Sequence, residues 1–117
     1  MPRLHAGTLR VSRVRRDSDR GVRVALPIIN DGPGDAYGVR LSVNTPNPEL
    51  DGRYIYIGHV PPKTTLEIDT IIPISEDADR ALSSDELELS VIVRDAHQTA
   101  PDAPVRFRGR VLPDPSR

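Results

Sequence analysis

Apolar residues along this chain recur in twos. Val22, Val24, Leu26 and Ile28 alternate with Arg23, Ala25 and Pro27, and Val39, Leu41 and Val43 alternate with Arg40 and Ser42. Leu66, Ile68, Ile72 and Ile74 keep one parity around Thr70, Leu87, Leu89, Val91 and Val93 alternate with Glu88, Ser90 and Ile92, and Val105, Phe107 and Val111 alternate with Arg106, Arg108 and Arg110. A period of two gives one buried and one wet face, as in antiparallel strands of a two-layer structure. Two segments are weaker. Leu9 and Val11 share a parity that Val14 breaks, which predicts a first strand with a bulge near Ser12–Arg13. Residues 53–57 put Ile55 and Ile57 on one side and Tyr54 and Tyr56 on the other. The pattern predicts about seven strands in 117 residues, with Val24, Leu26, Leu41, Ile68, Ile72, Leu89, Val91 and Phe107 in the core.

The punctuation agrees. Asn30-Asp31-Gly32-Pro33-Gly34, Pro46-Asn47-Pro48, Asp51-Gly52 and Pro61-Pro62 all demand turns. Asn30 can hydrogen-bond the backbone of its own loop, and Pro27 and Pro73 stand late in their strands, where a missing N–H is tolerable. Only Ser75 to Leu82 reads as helical. Ser75 can cap it, Glu76, Asp77 and Asp79 suit its first turn, and Ala78, Ala81 and Leu82 can face inward. The expectation is an all-β, two-sheet antiparallel sandwich with one short helical crossover. It forms a single domain over 1–117, with flexible termini at 1–7 and 113–117.

Composition narrows the function classes. Leu, Ile, Val and Phe number 31, enough for a modest core. No apolar run approaches the ~18–20 residues of a membrane span, so membrane insertion is not expected. Absence of Cys removes disulfide scaffolds, zinc ribbons and thiol catalysis. The first residues carry no secretion signal. A complete chain is therefore expected in the cytoplasm, and a fragment of a longer exported protein outside the cell.

The net charge is −1, with no global field to favour nucleic acid. Its distribution is uneven: residues 1–27 hold seven Arg and two Asp (+5), and residues 64–95 hold two Arg and nine acids (−7). If those blocks meet between molecules, self-association follows.

Three stretches, VRVALPIINDGPGDAYGVRLSV (22–43), YIGHVPPKTTLEIDTIIPI (56–74) and LELSVIVRDAHQTAPDAPVRFRGRV (87–111), together resemble immunoglobulin-like sandwich domains of the CARDB and NEW3 type. They carry an apolar strand ending in Asn before a Gly-containing turn, an Ile-Gly turn into a long strand, and a closing hairpin. The resemblance implies architecture more than activity. Pro62-Lys63 replaces the usual Pro-Gly, and without Trp or Cys this is not an antibody-type domain.

Catalytic chemistry is sparse. His5, His59 and His97 stand at no metal-ligand spacing, and there is no nucleophile elbow or phosphate loop. Asp31 and Asp35, or Asp77 and Asp79, do not form a calcium-loop ligand series. With no Trp, one Phe and three Tyr, a carbohydrate platform or a base-stacking face is poorly supplied. No cofactor is expected. Two features suggest a surface for a protein partner. Arg106, Arg108 and Arg110 share one strand face, either as an anion-binding stripe or paired with the outward Glu86 and Glu88. Tyr54 and Tyr56 share the outer face of a short strand that suits a sheet edge, either as partner contacts or packed over neighbouring aliphatic stems. The leading expectation is a non-enzymatic, immunoglobulin-like interaction module, and the alternatives are a spacer or assembly subunit and a carbohydrate-binding module.

Overall fold

A computed structural model of the chain describes residues 2–17, 19–96 and 104–113. Among them are eight strands and one helix: β1 (Leu4–Ala6), β2 (Arg10–Arg16), β3 (Asp19–Asn30), β4 (Ala36–Asn44), β5 (Tyr54–Val60), β6 (Thr64–Ile74), α1 (Glu76–Leu82), β7 (Glu86–Arg94) and β8 (Val105–Arg110). All pairings between the strands are antiparallel. In the first sheet β3 is flanked by β1 and β2 on one side and β6 on the other; the second runs β5-β4-β7-β8. The fold is an all-β sandwich.

The period-two residues make the contact between the sheets. Val22, Val24, Leu26 and Ile28 of β3, Val39, Leu41 and Val43 of β4, and Leu87, Leu89 and Val91 of β7 are all buried in one cluster. Ile68 and Phe107, expected in the core, are only partly buried against it. Both lie on edge strands, and alternation reports which face a residue takes, not how many neighbours cover it.

The N-terminal region departs from expectation in three ways. Leu4–Ala6, placed by sequence in a flexible terminus, pairs with Ile28–Asn30 as β1, and Leu4 is buried. Second, β2 has no bulge: Arg10 to Arg16 pair without a break with Ala25 to Asp19. Val14 lies on the outer face opposite Gly21, and it is Arg13, opposite Val22, that points inward. There Arg13 Nε donates to the Val111 carbonyl at 3.0 Å, and Asp79 of α1 holds both Arg13 (3.5 Å) and Arg20 (3.5 Å). Asp79 therefore ties the helix to the first sheet, a role beyond the helix-end charge expected of it.

Third, β1 and β2 are one strand interrupted at residues 7–9, and Pro27 explains the break. Its carbonyl accepts from Gly7 N at 2.9 Å, so its missing N–H faces the same gap. A Cβ at Gly7 would collide with the Pro27 ring, which leaves Gly as the residue that fits. Pro113 makes an isolated bridge to Arg13; the rest of the expected flexible C-terminus, 114–117, is outside the described residues.

The helix is as expected. Ser75 caps it by accepting from Ala78 N at 3.1 Å, and Glu49 in turn accepts from Ser75 N at 2.8 Å and from its hydroxyl. Those two hydrogen bonds hold the Glu49 carboxyl below its usual pKa of 4.5.

Candidate functional site

The outer face of the second sheet collects every residue singled out for partner binding. On β4, Leu41 points inward opposite Ile55 of β5 and Val93 of β7, so Arg40 and Ser42 point outward with Tyr56 and Tyr54. On β8, Phe107 opposes Leu89, so Arg106, Arg108 and Arg110 point outward with Ser90, Glu88 and Glu86. Tyr54 and Tyr56 thus stand at one edge of this face and the three arginines at the other. Three strand spacings, roughly 14 Å, separate them. The sequence placed both groups outward but could not place them on one sheet.

The β5 side is aromatic. A register shift in the β4–β5 ladder sets Val39 opposite Gly58, whose φ of 95° is the left-handed geometry glycine tolerates. The Tyr56 ring covers that glycine: a Cβ there would lie 3.5 Å from the ring. Beyond the shift, Ala36 and Val60 are paired and buried, so Tyr37 and His59 emerge on the outer face and stack at 4.8 Å between centroids. His59 Nε2 lies 2.7 Å from Asp35 Oδ1. All three tyrosines of the chain are therefore on this one side, with Tyr37 at 52%, Tyr54 at 70% and Tyr56 at 74% of full exposure. At those values most of the Tyr54 and Tyr56 surface is open to solvent. Tyr37 was missed from sequence, because only the register shift turns it outward.

β5 is also an edge. Val43 N donates to Arg53 O at 2.9 Å, so the odd-numbered residues of this segment direct their peptide groups toward β4. Alternation leaves the N–H and C=O of Tyr54 and Tyr56 directed away from the sheet, where no strand pairs with them among the described residues. The Gly58 bulge limits this open stretch but leaves the two tyrosines within it.

The β8 arginines are less free. The register sets Arg108 opposite Glu88 and Arg110 opposite Glu86, the pairing anticipated from parity. Arg108 Nε lies 3.8 Å from Glu86, an exposed contact worth little, and Arg110 donates to the Ser83 carbonyl at 2.9 Å. Arg106 faces Ser90 and makes no ion pair among the described residues. In the middle of the face, Arg40 of β4 stands directly opposite Arg94 of β7, a juxtaposition invisible until the strand pairing is known.

On the first sheet several cations have carboxylate partners. Arg10 meets Glu67, Arg13 and Arg20 meet Asp79, and Arg23 meets Asp69. Part of the positive opening thus meets part of the acidic 64–95 block within one molecule. Arg3 donates to Asp31 at 2.8 Å and lowers its pKa. Among the described residues no three His, Asp or Glu side chains converge as a metal site, and His97 lies outside them. No described helix is long and apolar enough to cross a membrane. No family model matches this chain, and no curated protein or solved structure is significantly similar to it.

Proposed function

We propose that this domain is an immunoglobulin-like, non-enzymatic interaction module that docks a protein partner on the outer face and β5 edge of its second sheet. The observation that carries the reading is the gathering of all three exposed tyrosines beside an unpaired strand edge. Tyrosine supplies rigid amphipathic contact area and is enriched, with Arg, at the energetic centres of interfaces. An open edge offers main-chain hydrogen bonds to an added strand.

The immunoglobulin-like part rests on connectivity. β1/β2, β3 and β6 correspond to strands A, B and E, and β5, β4, β7 and β8 to C′, C, F and G, with α1 as the crossover between E and F. The kinship to CARDB and NEW3 domains draws its support from the same order, since residues 22–43 span β3 to β4 and residues 56–74 span β5 to β6.

The test is quantitative affinity purification with three forms of the tagged protein. Tyr54→Ser/Tyr56→Ser should lose the partner that wild type retains, with an unchanged melting temperature. Ile71→Ser, on the outer face of the opposite sheet, should keep it. Retention by the tyrosine variant rules the surface out.

A further inference from the structure

The row Tyr56–Arg40–Arg94 crosses the outer face of the second sheet from the β5 edge toward its centre. Like charges directly opposite in a ladder are destabilising, and neither arginine makes an ion pair among the described residues. The contact of Arg40 is local: Nη1 donates to the Gly38 carbonyl at 3.0 Å. The contrast with the rest of the chain is informative. Arg15 also stands opposite an arginine, Arg20, but Asp79 lies 3.5 Å from Arg20. Arg40 and Arg94 have no such counter-ion among the described residues, and they lie one and two strands in from β5, which carries the most exposed aromatic rings of the chain.

We infer that Arg40 and Arg94 form a receptor for a carboxylate, and that the partner docked here presents an acidic segment with an Asp or Glu seated between them. The inference rests on the docking surface proposed above and gives its occupant a chemistry. Two arginines opposite each other in the ladder can both reach one carboxylate from the outer face, each offering a fork of donors that matches it, and arginine sheds its hydration more readily than lysine. A bound carboxylate relieves the repulsion that the free sheet carries, so it is held more strongly by the folded protein than by either arginine alone. Tyr54 and Tyr56 cover the flank of the segment and exclude water from the pair, in the manner of residues that ring an interface centre.

A nucleic-acid strand is the competing occupant, because tyrosine and arginine together also serve bases and phosphates. The distribution of acids favours protein. Glu86 and Glu88 lie on the same face opposite Arg110 and Arg108, so the positive charge of the face is interrupted by carboxylates along β7 and β8 and forms no continuous track for a phosphate backbone.

The experiment is NMR of the ¹⁵N-labelled protein, observing backbone amides and arginine Nε–Hε groups, titrated with three probes. These are a blocked peptide of alternating Glu and Thr, its Gln-for-Glu counterpart, and an oligothymidylate. The Glu peptide should shift the Nε–Hε signals of Arg40 and Arg94 and the amides of Tyr54 and Tyr56. The Gln peptide should leave those Nε–Hε signals in place, and the oligothymidylate should bind more weakly than the Glu peptide. Arg40→Gln/Arg94→Gln should bind the Glu peptide roughly tenfold or more weakly while melting at the same or a higher temperature, since it loses a repulsion.

The inference is overturned by unshifted Arg40 and Arg94 signals, by shifts confined to other arginines such as Arg15 and Arg16, by equal binding of the Gln peptide, or by tighter oligothymidylate binding. Affinity purification separates it from the broader reading. If Tyr54→Ser/Tyr56→Ser loses the cellular partner and Arg40→Gln/Arg94→Gln keeps it, the carboxylate receptor fails and the docking surface stands; if both keep it, both fail.

Discussion

Asn30 offers the sharpest test of how the binding edge is held. The side chain is fully buried at the end of β3, and all four of its hydrogen-bonding positions are used. Oδ1 accepts from Arg3 N at 3.1 Å and Gly32 N at 3.1 Å; Nδ2 donates to Gly34 O at 2.8 Å and Val60 O at 3.1 Å. One amide thus joins the start of β1, the 31–35 loop and the end of β5. Asn30→Ala orphans four backbone groups. Those of Arg3 and Gly34 are part-buried and can recruit water; those of Gly32 and Val60 are buried. At about 1–3 kcal/mol for each buried orphan, the loss is about 2–6 kcal/mol.

Asn30→Asp separates hydrogen bonding from charge. The carboxylate keeps both acceptor contacts but faces two carbonyl oxygens, so its folded-state pKa lies above the unfolded value of about 3.9. A raised pKa means that stability is greatest below the unfolded value and is lost as pH rises. Urea unfolding followed by far-UV circular dichroism should therefore find Asn30→Asp weakening from about pH 4 to about pH 7 relative to Asn30→Ala. A cost below about 1 kcal/mol for Asn30→Ala, or no pH trend for Asn30→Asp, would refute the reasoning.

Gly21→Ala should destabilise by about 1–3 kcal/mol in the same assay, because its Cβ would lie 2.5 Å from Ile71 Cγ2 and 3.2 Å from the Ile72 carbonyl; adding Ile71→Ala should recover part of the loss. Phe107→Ala should cost only about 1–2 kcal/mol, since the ring is partly buried on an edge strand, and a cost equal to that of Leu41→Ala would show it to be a core residue. Asp31 and Glu49 have carboxyl pKa values lowered, by Arg3 and Ser75 first, from 3.8 and 4.5. Their stabilisation is complete above those values and disappears as pH falls below them, so melting temperature should drop on acidification, and Glu49→Gln should flatten part of that drop.

The alternation at Val22–Ile28, Val39–Val43 and Leu87–Val93 made the two layers legible, because burying one face of a strand writes itself into every second residue. What needed the structure was anything set by which strands pair. The parity of Arg106, Arg108 and Arg110 showed a shared face, yet the opposition of Arg40 and Arg94 exists only in the β4–β7 register. Tyr37 turns outward through a local shift at Gly58 that no periodicity announces. Val14 suggested a bulge because an outward apolar residue and an inward arginine are both uncommon; Asp79, distant in sequence, makes the inward Arg13 tolerable. Leu50 is fully buried from within a turn rich in Pro and Asn, where composition points to solvent. β1 was overlooked because three residues are too few to show a period.

The docking surface is tested most directly by photo-crosslinking in cells that express the full chain with a benzophenone amino acid at one position. Positions 54 and 56 sample the β5 edge of the second sheet, and positions 10 and 67 sample the outer face of the first. A discrete covalent adduct from 54 and 56, absent from 10 and 67, is the result expected. Adducts from 10 and 67 with none from 54 and 56 would contradict the proposal and move the partner to the opposite sheet.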